Sequence, residues 1–296
     1  MAVDLHVHSN RSDGTDTPSA LVHLALDAGL TAIALADHDT LTGVPEARSA
    51  ALGTTLELIP AVELSVEWPQ GTMHVVACWI EPGPGPLQDR LDAIRLARQR
   101  RNTEILAALS HLGMDLGPED LPTGPDSGVI GRPHIAAALI RKGFVSSSEA
   151  AFDLYLGRGR PAYRTRERLQ PVEAVALTHL SGGLAVLAHP HTMADSAGDF
   201  TATFEKLRAV GMDGVECYCP DYPQEMTEGL VAMVRRLGMV PSGGSDYHGS
   251  FRPAIAIGVG RGDLRVPDEV VAELRRAAAV RQDLQRGGAP TDRGSG

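Results

Sequence analysis

The sequence predicts an α/β barrel interrupted by a helical insertion, and three observations carry this. Short apolar runs alternate with helix-type patterns, as in folds built on a largely parallel sheet. Most of the histidine and acidic residues able to bind metal stand where an apolar run stops, and barrel active sites are built at the C-terminal ends of strands. A proline- and glycine-rich break at residues 81–86 divides the alternation, which returns near Pro171.

Taken in order, Val3, Leu5 and Val7 alternate with Asp4, His6 and His8, the pattern of a short strand. Residues i and i+2 of a strand share a face, so His6 and His8 reach one point, a geometry that suits a divalent cation. By itself an H-x-H pair is weak evidence, because polar residues also alternate on exposed strand faces. Asp13 follows in residues 12–15 (SDGT). Thr17 then caps a helix with Pro18 at its first position, running to Gly29. A second apolar run, residues 32–36, ends at Asp37-His38-Asp39, and a third, residues 56–62, ends at Glu63. His74 opens a fourth. After the break, a long helix from Leu87 to about Leu112 leads into a loop rich in glycine and proline and then two shorter helical runs. Residues 184–188 end at His189-Pro190-His191, and residues 239–245 end at Asp246-Tyr247-His248. One such residue after a strand is ordinary cap or turn chemistry. Repetition after successive strands points to one centre. The predicted division is 1–80 for the first part of the barrel, 81–165 for a helical insertion or lid, 166–279 for the second part, and 280–296 for a disordered tail.

The chain has 296 residues, 43% hydrophobic and 22% charged, enough for a sizeable core. Neither a signal peptide nor a membrane-spanning apolar run is expected. Cys78, Cys217 and Cys219 offer no disulfide framework, and buried thiols are the expected state of Cys217-Tyr218-Cys219 over metal ligation. A cytoplasmic setting fits these features. The net charge of −10 argues against an extended nucleic-acid-binding face. Arginines crowd two segments, residues 90–101 and 158–168. A solvated helix face and a polar loop are their expected places, with phosphate steering as the alternative.

The candidate ligands offer oxygen and nitrogen without thiolate, a set that suits Mn, Fe, Zn or Mg better than a structural zinc. Asp13, Glu63 and Asp246 facing several divalent ions would leave a net positive pocket inside a net negative protein, a funnel for a small anion. Clustered divalent ions clamp phosphoryl oxygens. A second signal also points to phosphate. In Gly131-Arg132-Pro133-His134 a helix starts with proline at its first turn, where free N–H groups and the helix dipole favour anions, and Arg132 adds a bidentate donor.

Together these elements resemble the PHP (polymerase and histidinol phosphatase) superfamily. The matching segments are DLHVHS with SDGT, then ADHDT, AVELS, MHVV, AHPH and GSDYHG, spread over residues 4–249. Their order and the insertion are most similar to stand-alone bacterial enzymes described as nucleoside 3′,5′-bisphosphate phosphatases, some also acting as 5′→3′ exonucleases on short RNA. The resemblance implies a distorted (β/α)7 TIM-like barrel holding two or three divalent metals, manganese first among them. By position, His6, His8, Glu63 and Asp246 would hold the first metal and its reactive hydroxide. Glu63 would bridge to a second metal, held also by His74 and His189. Asp13, His38 and His248 would hold the third. Arg132 and His134 match the branch's phosphate-contacting pair. Two departures stand out: Ala36 occupies a position where relatives often carry threonine, and Cys217-Tyr218-Cys219 replaces a more aromatic stretch.

The expected activity is metal-dependent hydrolysis of the phosphomonoester of small nucleotides, most of all 3′,5′-bisphosphates such as 3′-phosphoadenosine 5′-phosphate. The alternatives are a 5′→3′ exonuclease on short RNA, a phosphatase for histidinol phosphate or another small monoester, and a non-catalytic metal-binding module. The negative surface disfavours long RNA, and the intact ligand set disfavours the module. Oligomeric state, metal identity and the acid for the leaving group stay open.

Overall fold

The structure, a computed structural model, describes residues 2–69, 71–122, 128–193 and 200–287. Strands β1 (Ala2–Val7), β2 (Leu30–Leu35), β3 (Glu57–Val66), β4 (Met73–Cys78), β5 (Leu184–Ala188), β6 (Gly214–Tyr218), β7 (Val240–Gly243) and the two-residue β8 (Val266–Pro267) form one sheet. Their order is β7-β6-β5-β4-β3-β2-β1-β8. The N–H of His8 donates to Tyr247 O and the N–H of Asp246 donates to His6 O, each at 2.9 Å. These bonds carry β1 back to the end of β7, so the sheet is a nearly closed barrel. Asp4 fastens the seam: its carboxylate accepts from the backbone N–H of Ser245 at 2.8 Å and of Gly258 at 2.7 Å.

Strand–helix alternation favours a parallel sheet, and most of the barrel obeys it. β4 departs, running antiparallel to both β3 and β5. The reason is the link from β3 to β4, which spans only residues 67–72 and is too short for a crossover helix. The same pairing explains why β3 continues past Glu63, where its apolar run ends. Ser65 faces His74 and Val66 faces Met73 across the ladder.

The first helix, α1 (Pro18–Asp27), starts as its sequence demands: Thr17 Oγ1 accepts from Ala20 N–H at 3.1 Å. α2 (Val44–Ala51) follows β2. The barrel interior is lined by small and branched side chains, including Ala32, Ala34, Ala61, Val76, Val186 and Ala188, which fit a narrow barrel. Outside it, α1, α2, α6 (Pro171–Leu180), α7 (Thr201–Ala209) and α8 (Gln224–Arg236) bury Leu21, Val44, Val175, Phe204 and Val234 against the outward strand faces.

Between β4 and β5 lie α3 (Pro86–His111), α4 (Arg132–Arg141) and the short α5 (Ser148–Ala151), which continues into a single wide turn over Phe152–Leu156. α3 spans two cores. Leu87, Leu91 and Ile94 pack on the barrel's outer layer, whereas Ile105 and Leu109 join Ile135, Leu139, Ala151 and Leu156 in a separate cluster. A charged face separates the two halves, carrying Arg98 and Arg101 at helical spacing.

The final helix, α9 (Glu269–Gly287), corrects the expectation of a disordered tail from residue 280. Arg281 pairs with Asp213 and lies 3.1 Å from His179 Nδ1, which fastens this part of the helix to the barrel. Residues 288–296 lie outside the described residues. Among the described residues no helix is long and apolar enough to cross a membrane.

Candidate metal centre

The nine expected ligands, His6, His8, Asp13, His38, Glu63, His74, His189, Asp246 and His248, fall into four overlapping groups whose ligand atoms lie within 4.8 Å of one another. Glu63 is at the middle. Its Oε1 is 2.7 Å from His74 Nδ1 and 2.9 Å from His189 Nε2. Its Oε2 is 2.9 Å from His38 Nδ1, 3.2 Å from His8 Nε2 and 3.3 Å from His6 Nε2. Asp246 Oδ1 lies 3.3 Å from His8 Nε2, and Asp13 Oδ1 lies 3.3 Å from His248 Nε2.

The local chain explains the convergence. His6 lies near the end of β1 and His8 just past it, two residues on, and both are fully buried. Asp13 rides on a loop pinned by Asp37, whose carboxylate accepts from Ser9 N–H at 2.8 Å, Ser9 Oγ at 2.6 Å and Ser12 Oγ at 2.6 Å. Gly14 is required there, since a Cβ would sit 2.3 Å from His8 O. Gly244 is required beside β1, where a Cβ would meet His6 Cβ at 2.5 Å. Among the described residues, non-glycine residues with positive φ are Asp39, Trp79, His189 and Asp246. Three of them belong to this region, which matches the habit of functional sites to hold sparsely populated backbone.

The nitrogen and oxygen atoms suit a bound cation. His6 and His8 point their Nε2 atoms at each other across 3.0 Å inside the protein. His6 donates from Nδ1 to Glu216 Oε1 at 2.8 Å, which turns its Nε2 inward. His248 donates from Nδ1 to Asp246 O at 2.9 Å, with the same result. Glu63 Oε2, His38 Nδ1 and Asp13 Oδ1 are buried without a hydrogen-bond partner, atoms that a cation would satisfy. Burial pushes the Glu63 carboxyl upward, but His38, His74 and His6 beside it hold it well below the usual carboxylate range. Burial lowers His74 to about 4, keeping it neutral and able to ligate.

Grouping by distance divides the nine residues differently from the resemblance. His38 stands with Glu63 and His74 as well as with Asp13, His8 and His248, and His189 stands with His6 and Glu63. His74 and His189 nevertheless approach to 3.4 Å.

Of the expected phosphate-contacting pair, Arg132 lines a cavity of about 190 Å³ that also takes in Asp13, His38 and His74. Its guanidinium donates from Nη1 to Leu156 O at 3.0 Å and lies 5.5 Å from the ring centres of Phe152 and Tyr163. His134 is not in that wall. Its Nδ1 accepts from Gly131 N–H at 3.0 Å, and its ring meets Phe251 edge-on at 5.6 Å.

Several residues of the site escaped the sequence reading. Glu216 binds His6 and also accepts from His189 N–H at 2.7 Å. Its signal was a lone carboxylate inside the apolar strand β6. Its neighbours Cys217 and Cys219 are buried free thiols outside every candidate ligand group among the described residues. Arg252 pairs with Asp246. Half of the ten arginines expected on solvated surfaces are elsewhere: Arg98, Arg101, Arg164, Arg166 and Arg168 line the same cavity as Arg132. Asp39 organises them, pairing with Arg98 and lying 3.4 Å from Arg166.

The sequence matches the family model described as PHP domain over residues 4–171. It is 31% identical over 245 residues to a Haemophilus influenzae protein named 5′-3′ exoribonuclease, covering 83% of this chain and 89% of that one. It is 30% identical over 249 residues to a Chromobacterium violaceum protein named 3′,5′-nucleoside bisphosphate phosphatase, covering 83% of this chain and 87% of that one. A solved structure from Bifidobacterium adolescentis, assigned as a metal-dependent phosphoesterase, superposes with a TM-score of 0.80 at 28% identity, covering 93% of this chain and 96% of that one.

Proposed function

Because the chain belongs to the PHP domain family and is an enzyme that hydrolyses phosphoester bonds, we propose that its substrate is a small nucleotide carrying two phosphates. The favoured reaction removes the 3′-phosphate of a nucleoside 3′,5′-bisphosphate to leave a 5′-monophosphate. One observation carries this reading: the cavity of about 190 Å³ is lined by Asp13, His38 and His74 together with six arginines. A small pocket with a cage for the reacting phosphate and a cationic wall for another suits a compact, doubly phosphorylated ester.

In this reading His6, His8, Glu63 and Asp246 would hold one divalent ion, Glu63, His74 and His189 a second, and Asp13, His38 and His248 a third. Divalent ions in such a cage supply Lewis-acid polarisation of phosphoryl oxygens and an activated water near neutral pH. Manganese is the first choice for an oxygen and nitrogen set, with iron, zinc and magnesium behind it. The chain's own contribution is orientation. Glu216 fixes the ring of His6 and the backbone of His189, and Asp37 fixes the loop that presents Asp13. Arg132 grips substrate phosphate from the first turn of α4, which His134 holds in place through Gly131.

The test is a phosphate-release screen with added Mn²⁺ over nucleoside monophosphates, 3′,5′-bisphosphates and short RNA. The bisphosphates should give the highest kcat/KM. Faster release of mononucleotides from short RNA than of phosphate from any bisphosphate would move the reading to the exonuclease.

A further inference from the structure

Arg252 holds Asp246 from outside the cage. Its Nη1 pairs with Asp246 Oδ2 and donates to the Asp246 carbonyl O at 3.3 Å. The other carboxylate oxygen, Oδ1, faces the cage, 3.3 Å from His8 Nε2, 3.5 Å from His248 Nδ1 and 3.7 Å from His6 Nε2. Asp246 has a left-handed backbone, with φ at 54°. One guanidinium nitrogen therefore grips both its carbonyl and its outer carboxylate oxygen, which opposes rotation of the side chain. Arg252 is steadied in turn. Its Nη2 lies 3.8 Å from Asp221 Oδ2, and Asp221 Oδ1 accepts from Arg261 Nε at 3.2 Å and Nη2 at 3.0 Å. Charges thus alternate outward from the cage through Asp246, Arg252, Asp221 and Arg261.

Neither stability nor metal affinity explains this bridge. The Arg252 and Asp246 side chains are 34% and 20% exposed, and an ion pair so open to water adds little to stability. An arginine beside a ligating carboxylate also repels a bound cation, so it does not serve tight metal binding. What remains is geometry. A carboxylate can ligate through one oxygen or through both, and Arg252 leaves Asp246 only one to offer.

We propose that Arg252 is a positioning residue that limits Asp246 to a single oxygen towards the ion held with His6, His8 and Glu63, and so keeps room there for substrate and water. The proposal rests on the metal set given above, in which Asp246 is a ligand. Catalytic metal sites keep a position open, whereas closed ones are structural. Without Arg252 both oxygens of Asp246 are free to turn inward, which holds a cation at least as tightly and closes that position. Glu216 and Arg252 thus act in opposite senses: Glu216 supports ligands that the ion needs, and Arg252 withholds one.

The experiment compares the full chain with Arg252→Met, Arg252→Lys and Asp221→Asn. Three readouts are taken: Mn²⁺ titration calorimetry, the visible bands of the Co²⁺-loaded protein, and hydrolysis of p-nitrophenyl phosphate at saturating Mn²⁺. Arg252→Met should bind Mn²⁺ no more weakly than wild type, yet lose roughly tenfold or more in kcat, a loss that added metal does not recover. Its Co²⁺ bands should weaken, because an added oxygen ligand raises the coordination number. Arg252→Lys, which keeps a cationic donor, should recover part of kcat. Asp221→Asn, which loosens Arg252 without touching the cage, should show a smaller loss of the same kind. An unchanged kcat in Arg252→Met, unchanged Co²⁺ bands, or a kcat loss that follows weakened Mn²⁺ binding and is recovered by added metal overturns the proposal. So does an Arg252→Met chain that melts far lower or fails to fold, since the bridge would then be structural. Failure of the metal set itself shows separately, as wild-type Mn²⁺ binding in Asp246→Asn.

Discussion

Glu216 spans two residues of the candidate cage. One oxygen takes the Nδ1–H of His6 at 2.8 Å, and the other takes the backbone N–H of His189 at 2.7 Å. Such partners fix the ring and tautomer of a ligating histidine. Glu216→Gln should therefore weaken divalent-metal binding by roughly 10–100-fold, with activity restored when metal is raised in proportion. Metal titration against activity checks this, and an unchanged titration curve would remove Glu216 from the centre.

His8→Ala and Asp246→Asn delete direct cage atoms, not core packing. Both variants should lose bound metal and phosphoester hydrolysis while retaining a wild-type circular dichroism spectrum. Wild-type activity in either one would contradict the proposed first metal set.

Asp39 ties the arginine wall to β3, accepting from Ser65 N–H at 3.2 Å while pairing with Arg98. Burial raises its carboxyl, but Arg98 and Arg166 outweigh this and hold it at about 2, below its ordinary value of 3.8. A depressed carboxylate adds stability that is fully present above its unfolded pKa and is lost as pH falls towards the folded value. Asp39→Asn should cost about 2 kcal/mol at neutral pH, with the gap to wild type narrowing between pH 4 and pH 2. Denaturant unfolding across that range is the measurement. A gap that stays constant with pH would show that packing, not charge, accounts for the loss.

Arg132→Ala should reduce kcat/KM for a 3′,5′-bisphosphate far more than for a plain 5′-monophosphate. The differential should be about 2 kcal/mol for a charge-assisted contact to the non-reacting phosphate. Metal content should not change. Equal losses on both substrates would place Arg132 on the scissile phosphate.

The convergence of the nine candidate residues was legible in the sequence because most of them sit where apolar runs stop. Two-residue periodicity puts His6 and His8 within reach of one point, and Asp246 and His248 repeat that spacing after β7; the repetition after successive strands is what made the pair informative. The antiparallel course of β4 was less visible, since alternation of runs says little about direction when the link is short. The cationic wall was hidden for another reason. Arg98 and Arg101 sit among arginines that face solvent, and Arg166 and Arg168 alternate on an irregular segment. Only the insertion folding back over the barrel mouth shows which ones turn inward. Glu216 was hidden beside two cysteines, although a carboxylate in a buried strand needs a partner and so was itself a signal.

The central claim is that the cage around Glu63 holds several divalent ions and that phosphoester hydrolysis depends on them. Elemental analysis of protein stripped with chelator and reloaded stepwise with Mn²⁺, run in parallel with phosphate release from a nucleoside 3′,5′-bisphosphate, tests it most directly. The account predicts no turnover in the stripped protein, two or three ions per chain at saturation, and activity that rises with loading. A fully loaded protein inert towards every phosphoester, or turnover undiminished by stripping, would contradict it.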